Sequence, residues 1–310
     1  RDAEALRDLE LIYVQLGQGE YAQDLEQRTL MLRQSVMDGL NGLPLDAEDP
    51  DAADLIAKRD ELVAVYQGIA GESVRNRGAM SAQALGEVSS LMSFSAAYAG
   101  LPQDYDRNIR QLSDLLINIT PNITSSLGTG RSVGGYSIGL GYLNSDASRD
   151  MDDLFEGMQR LRSDYEQVLA LVLADPSLSG LQSYSQASLA SLDEASRIFE
   201  DDIILANSLT GVWSDYFNQI TTEIDKTYAF NQAMLDTLGQ VLERRMGENF
   251  RAMMTLILSL SLVGLLIIYL YAGFYMATRR TLKRLSVLMG QVAGGDMTVQ
   301  VEVDSRDELG

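Results

Sequence analysis

The chain of 310 residues contains neither cysteine nor histidine. No disulfide framework can form, and no zinc, haem or iron–sulfur site built on Cys or His is available. Imidazole acid–base chemistry and Ser-His-Asp triads are excluded as well. A carboxylate-only site for a hard cation survives on composition, and the acid-rich stretch Asp46–Asp54 (DAEDPDAAD) is the place to look for it. That stretch lacks the glycine and closing glutamate of an EF-hand loop. It reads instead as a helix N-terminus, where acids favour the positive end of the dipole. No metal, no cofactor and no catalytic residue is therefore expected. Positive charge is also short, with 24 Lys+Arg against 44 Asp+Glu. A chain of net charge −20 repels nucleic acid, which needs clustered Lys and Arg.

What is present is one long uncharged run, Ala252 to Ala277 (AMMTLILSLSLVGLLIIYLYAGFYMA). About 20 apolar residues cross the hydrocarbon core of a bilayer, so a transmembrane helix is expected over 251–277. Phe250 sits at one end, and Tyr269, Tyr271, Phe274 and Tyr275 near the other, where amphipathic rings favour the headgroup region. Arg279, Arg280, Lys283 and Arg284 follow at once and mark that side as cytoplasmic. Arg244, Arg245 and Arg251 on the other flank weaken the asymmetry. The acidic bulk before residue 251 and the motif after the span decide the orientation. The expected location is a bacterial inner membrane, with residues 1–250 periplasmic.

Beyond the span, Leu282, Leu285, Met289 and Val292 are spaced 3-4-3, the a/d seam of a short coiled coil. Gly294-Gly295 stops that helix. An alternating stretch (Met297, Val299, Val301, Val303) leads to Asp307-Glu308-Leu309-Gly310. The basic helix leaving the membrane, the pair Gly295-Asp296 and the closing Asp307-Glu308-Leu-Gly resemble the N-terminal half of a HAMP domain, over 278–310. Thr281 stands where that family has a proline, so the helix is expected to leave the membrane with less of a kink. HAMP modules are parallel dimers, and the resemblance implies a homodimer. The seam residues with Gly295, Asp296, Asp307 and Glu308 are the expected signal relay. The sequence begins at Arg1 rather than Met and stops inside a motif. We read it as a truncated piece of a longer chain, with an entering transmembrane helix before Arg1.

Residues 1–250 have few prolines and long 3.6-residue periodicities. These predict helices near 1–40, 51–96, 104–145, 147–174, 181–200 and 211–250, the last running into the membrane span. Gly39, Gly42 and Pro44 end the first. Gly100-Leu101-Pro102 ends the second. Asp175-Pro176 with Gly180 makes an αα-hairpin. The fold class is all-α: a long up-down bundle with the 147–200 hairpin on its membrane-distal part. The stretch Tyr105 to Tyr142, with its tyrosine, leucines, Pro121, Gly128, Arg131 and Gly134-Gly135, resembles the helical sensor domains of bacterial methyl-accepting chemotaxis receptors. Asp215-Tyr216-Phe217 followed by Thr222, Ile224 and Asp225 is a second point of resemblance. The double length is similar to helical bimodular sensors, which implies up to two ligand pockets.

Such receptors hold a small polar ligand between helices. An arginine fork matches a carboxylate, and Arg75, Arg77 and Arg131 are the candidates; each also fits a surface ion pair. Trp213, Tyr216 and Phe217 form a candidate aromatic wall for an amine, or plain core. The glycines at 128, 130, 134, 135, 139 and 141 mark close helix approach or room for a guest. Nothing in the chain reads as catalytic. TGRSVGG (Thr129–Gly135) lacks the strand that a phosphate-binding loop needs. The expected function is a non-enzymatic receptor for an organic acid or amine. It signals by a helix displacement of ~1–2 Å through HAMP to a chemotaxis kinase and its coupling protein. A histidine kinase or diguanylate cyclase with the same front end is the alternative, and a structural, adhesive membrane-anchored bundle a third class.

Overall fold

The computed structural model describes residues 1–295, and every described element is helix, turn or loop. The chain divides into two compact units, Arg1–Gly239 and Gln240–Gly310. In order, the helices are α1 (Asp2–Leu16), α2 (Ala22–Asn41), α3 (Ala53–Ile69), α4 (Val74–Tyr98), α5 (Arg107–Asp114), α6 (Thr120–Leu140), α7 (Ser145–Val172), α8 (Gln182–Phe199) and α9 (Trp213–Ala293).

The up-down architecture is visible in the side-chain pairs. α2 runs against α1, matching Glu26 to Tyr13, Arg33 to Glu10 and Ser35 to Asp2. α6 runs with α1, matching Thr124 to Glu4 and Arg131 to Asp8. α9 runs against both, with Tyr228 at Glu4 and Thr221 at Arg131. α7 and α8 form the expected hairpin, closed by Tyr165 to Ser188 and Arg162 to Asp193.

The first two expected helices are each broken in two. The helix over 1–40 stops at Leu16 and reverses through 17–21. The Tyr13 ring folds over Gly17, where a Cβ would lie 2.3 Å from it. From there the Tyr13 hydroxyl reaches Glu26 across the turn. The helix over 51–96 breaks at 70–73, where Ser73 is extended ahead of α4. Arg77 clamps this turn by donating to the carbonyls of Glu72 and Ala70. The four helices are therefore two short hairpins instead of two long rods.

α1 to α4 enclose one core, with Leu6, Val36, Leu40, Leu62, Tyr66, Ile69 and Leu91 buried together. Burial pushes the Tyr66 hydroxyl up to about 12. α6, α7, α8 and the start of α9 build a second layer, where Ser188 links Tyr165 to Thr227. α1 packs on both groups, which is why it is buried nearly all round.

The remaining elements follow their local chemistry. Side chains of Asp106, Asn144 and Asp175 accept from the first free amides of α5, α7 and the turn before α8. A π turn over Leu115–Ile119 precedes Pro121, whose missing N–H a regular ladder could not accommodate. Among the described residues, one stretch within α9 is long and apolar enough to cross a membrane, with mean hydropathy 2.5, and none of its residues is buried. The helix passes Thr281 without a break and ends at Gly294-Gly295, where Gly295 takes φ 94°. Leu282, Leu285, Met289 and Val292 are exposed on it. Asp296, Asp307 and Glu308, with the alternating stretch between them, lie outside the described residues.

The glycines of α6 are close-approach positions. A Cβ on Gly130 would sit 2.2 Å from the Phe199 ring, one on Gly134 2.2 Å from Tyr216, and one on Gly139 2.3 Å from Leu16. Gly134→Ala should therefore lower stability by about 1–3 kcal/mol despite the better helix propensity of alanine. Gly157 of α7 meets nothing within 4 Å, so Gly157→Ala should raise stability by about 0.5–1 kcal/mol. Denaturant unfolding followed by the fluorescence of Trp213, the one tryptophan, reads both. Equal effects would contradict the packing.

Candidate ligand site

The site grows out of α1. Its apolar residues (Leu6, Leu9, Ile12, Tyr13, Leu16) form one stripe, and Glu4, Arg7, Asp8 and Glu10 outside that stripe are buried as well, because α2, α4 and α6 all pack on this helix. Asp8 is fully buried. It accepts from Arg131 Nε at 3.0 Å and Nη2 at 2.6 Å, and from Arg7 Nε at 2.7 Å. Arg131 completes its fork by donating to Thr221 of α9 at 2.8 Å, and it lies 4.5 Å over the Phe217 ring. Arg7 donates to Ser125 of α6. One carboxylate thus joins α1, α6 and α9. Gly128 makes the approach possible, because a Cβ there would lie 2.6 Å from both Asp8 and Arg7.

A turn earlier, Glu4 accepts from Thr124 at 2.8 Å and from Tyr228 at 2.6 Å. Two residues later, on the other side of the helix, Glu10 pairs with Arg33 at 2.8 Å, both buried. Burial pushes the carboxyls of Asp8 and Glu10 above their ordinary range, against the pull of their arginines. Burial, with the Glu4 charge beside it, raises the Tyr228 hydroxyl likewise, so it stays a donor.

Beside this network lies a cavity of about 440 Å³ between α1, α2 and α9. Its size suits a small organic ligand. Leu9, Leu32, Phe217 and Ile224 give it an apolar wall. Asp2, Glu4, Arg28, Asp225 and Tyr228 supply polar groups, and Arg131 reaches it from α6. Arg1 and Asp225, paired at 2.7 Å, form its exposed side. A second hollow of about 310 Å³ between α7 and α8 has no charged group in its lining.

The residues singled out in the sequence do not converge here. Arg131 and Phe217 line the cavity. Trp213 stands behind it, edge-on to Phe217 and Tyr21 and stacked under Arg28. Tyr216 faces α6 and donates to the Gly130 carbonyl. Arg77 holds the α3–α4 turn and Glu26, and Arg75 is exposed on α4. Glu4, Asp8, Arg28, Thr221 and Tyr228 were missed. No local signal marked the two acids: Glu4 and Asp8 share one side of α1 with Arg7 and Gln15, the pattern of an ordinary solvated face, and only the packing of further helices buries them.

Asp8→Ala leaves two buried guanidiniums without their counter-charge and should cost about 3–5 kcal/mol. Arg149→Ala, on an exposed pair, should change little. A loss in Asp8→Ala no larger than in Arg149→Ala would contradict the network. Because Glu10 ionises above its ordinary range, folding takes up a proton there. Its contribution therefore grows as pH falls through the folded value toward the unfolded one. The stability of the native chain relative to Glu10→Gln should rise as pH is lowered toward the ordinary glutamate range; a flat difference rejects the shift. Compared with known proteins, the chain matches no family model, no curated protein and no solved structure, so the geometry itself is the ground for its function.

Proposed function

We propose that this chain is the sensing, membrane-spanning and relay portion of a bacterial signal receptor. It binds a small extracytoplasmic ligand and passes a helix displacement through a HAMP module to a cytoplasmic chemotaxis domain and its kinase. The observation that carries this reading is the double duty of α9. The helix gives the cavity Phe217, Thr221, Ile224, Asp225 and Tyr228, and its later turns hold the apolar stretch and the 3-4-3 seam. A ligand shifts a helix only by binding one packing better than another. Here it would compete with the bonds that tie α9 to its neighbours, Tyr228 to Glu4 and Thr221 to Arg131. The exposed seam is consistent with a parallel homodimer, and the basic flank with a cytoplasmic relay and a periplasmic sensor.

The absence of cysteine gives a clean test. In native membranes, single cysteines at Leu285 and Met289 should cross-link between copies, while one at Ser286 should not. A membrane-impermeant thiol reagent on intact cells should label Ser35→Cys and spare Ser286→Cys. Met31→Trp, which fills the cavity, should change the cross-linking rate at the seam by about twofold or more. Equal cross-linking at Leu285 and Ser286, or seam rates blind to Met31→Trp, would overturn the relay.

A further inference from the structure

Three guanidiniums and three carboxylates line the cavity: Arg1, Arg28 and Arg131 against Asp2, Glu4 and Asp225. Counted as residues, the charges cancel. Counted as ion pairs, they do not. Arg131 is paired with Asp8 and Arg28 with Asp24, and neither of those carboxylates lines the cavity. Arg1 is paired with Asp225. Asp2 and Glu4 form no side-chain ion pair among the described residues, and the Arg1 α-ammonium, whose charge acts on both, offsets only one of the two. Asp2 accepts from the Ser35 hydroxyl, and Glu4, only 7 % exposed, accepts from two hydroxyls. A further acceptor, Oδ1 of Asp225, is buried with no hydrogen-bond partner.

The cavity thus carries a surplus of carboxylate charge, partly withdrawn from water. Hydroxyl donors soften that cost, and only a cation cancels it. A bare metal ion does not fit, because the described residues contain no acidic group of three able to hold one. Leu9, Leu32 and Ile224 instead suit an alkyl body. We propose that the cavity binds a small organic ammonium ion. Its N–H groups donate to Glu4 and to Oδ1 of Asp225, and its carbon chain lies against the three aliphatic side chains. The proposal rests on the reading of this cavity as the receptor's ligand site.

The test is calorimetric titration of the full chain in lipid nanodiscs with n-butylamine and putrescine, and with succinate as the anionic comparison. At least one amine should bind saturably. Glu4→Gln keeps an acceptor and removes the charge, and should weaken binding about tenfold or more. Asp225→Asn, on the exposed side, should weaken it severalfold and serves if Glu4→Gln fails to fold, as judged by Trp213 fluorescence. Met31→Trp should abolish binding. No saturable amine binding up to about 10 mM, or amine binding unchanged in both charge variants, overturns the proposal. Succinate binding that Met31→Trp removes, without any amine binding, keeps the cavity as a ligand site and rejects the cation. Binding of either class that Met31→Trp leaves intact places the ligand elsewhere and defeats both readings.

Discussion

The structure depends on one carboxylate. Asp8 stands at the centre of α1, wholly out of water, and carries the forks of Arg131 and Arg7. Withdrawing such ions from water costs several kcal/mol each, and their attraction repays it only with close geometry and further hydrogen bonds. Both conditions are met. The contacts are 2.5–3.0 Å, and the outer nitrogens reach Ser125 and Thr221. The closeness requires Gly128, since any side chain there would occupy the place of the ion pair. The glycine-rich α6 and the charged α1 are thus one device, each explaining the other.

The charges on α1 also set register. Four levels follow one another along the helix: Glu4 with Thr124 and Tyr228, Asp8 with Arg131, Glu10 with Arg33, and Tyr13 with Glu26. Each level names a different partner helix or position. An apolar helix can slide by a turn against its neighbours at modest cost. Here a slide of α1 would leave buried ions facing aliphatic side chains, at several kcal/mol. Conformational specificity, rather than stability, is the reasonable return on burying so much charge.

The sequence showed the all-α class, the apolar stretch and most helix ends, because those signals are local: periodicity, proline, and glycine after a helix. It did not show the turns at 17–21 and 70–73. Gly17 interrupts the apolar period without breaking it, and the reversal is fixed by the Tyr13 ring and by Glu26, a contact across the turn that local pattern does not encode. Arg77 had the right chemistry for a carboxylate and is spent on Glu26 and two turn carbonyls. Arg131 was legible as a candidate because it sits among six glycines, although a surface ion pair fitted it as well as it fitted Arg75 and Arg77. Its partner, 123 residues away, was not legible as a pair. The missed cavity residues on α9, Thr221 and Tyr228, lie on an amphipathic helix where nothing marks them from ordinary half-buried positions.

The two sides of α1 differ in how they can respond to a guest. Toward α6, contact is by glycine against side chain at Gly128, Gly135 and Gly139, with no slack between the helices. Toward the early turns of α9, the cavity intervenes, and single polar bonds such as Tyr228 to Glu4 span the gap. A closely packed face resists small shifts, whereas a bond at the edge of a cavity is exchanged for another at the cost of about one hydrogen bond, ~1 kcal/mol. Under the proposed reading, α1 and α6 are the fixed frame and α9 is the element a ligand biases. A guest that takes the Glu4 carboxylate as its own partner removes the Tyr228 bond and supplies a charge in its place. That exchange is the differential affinity the relay requires.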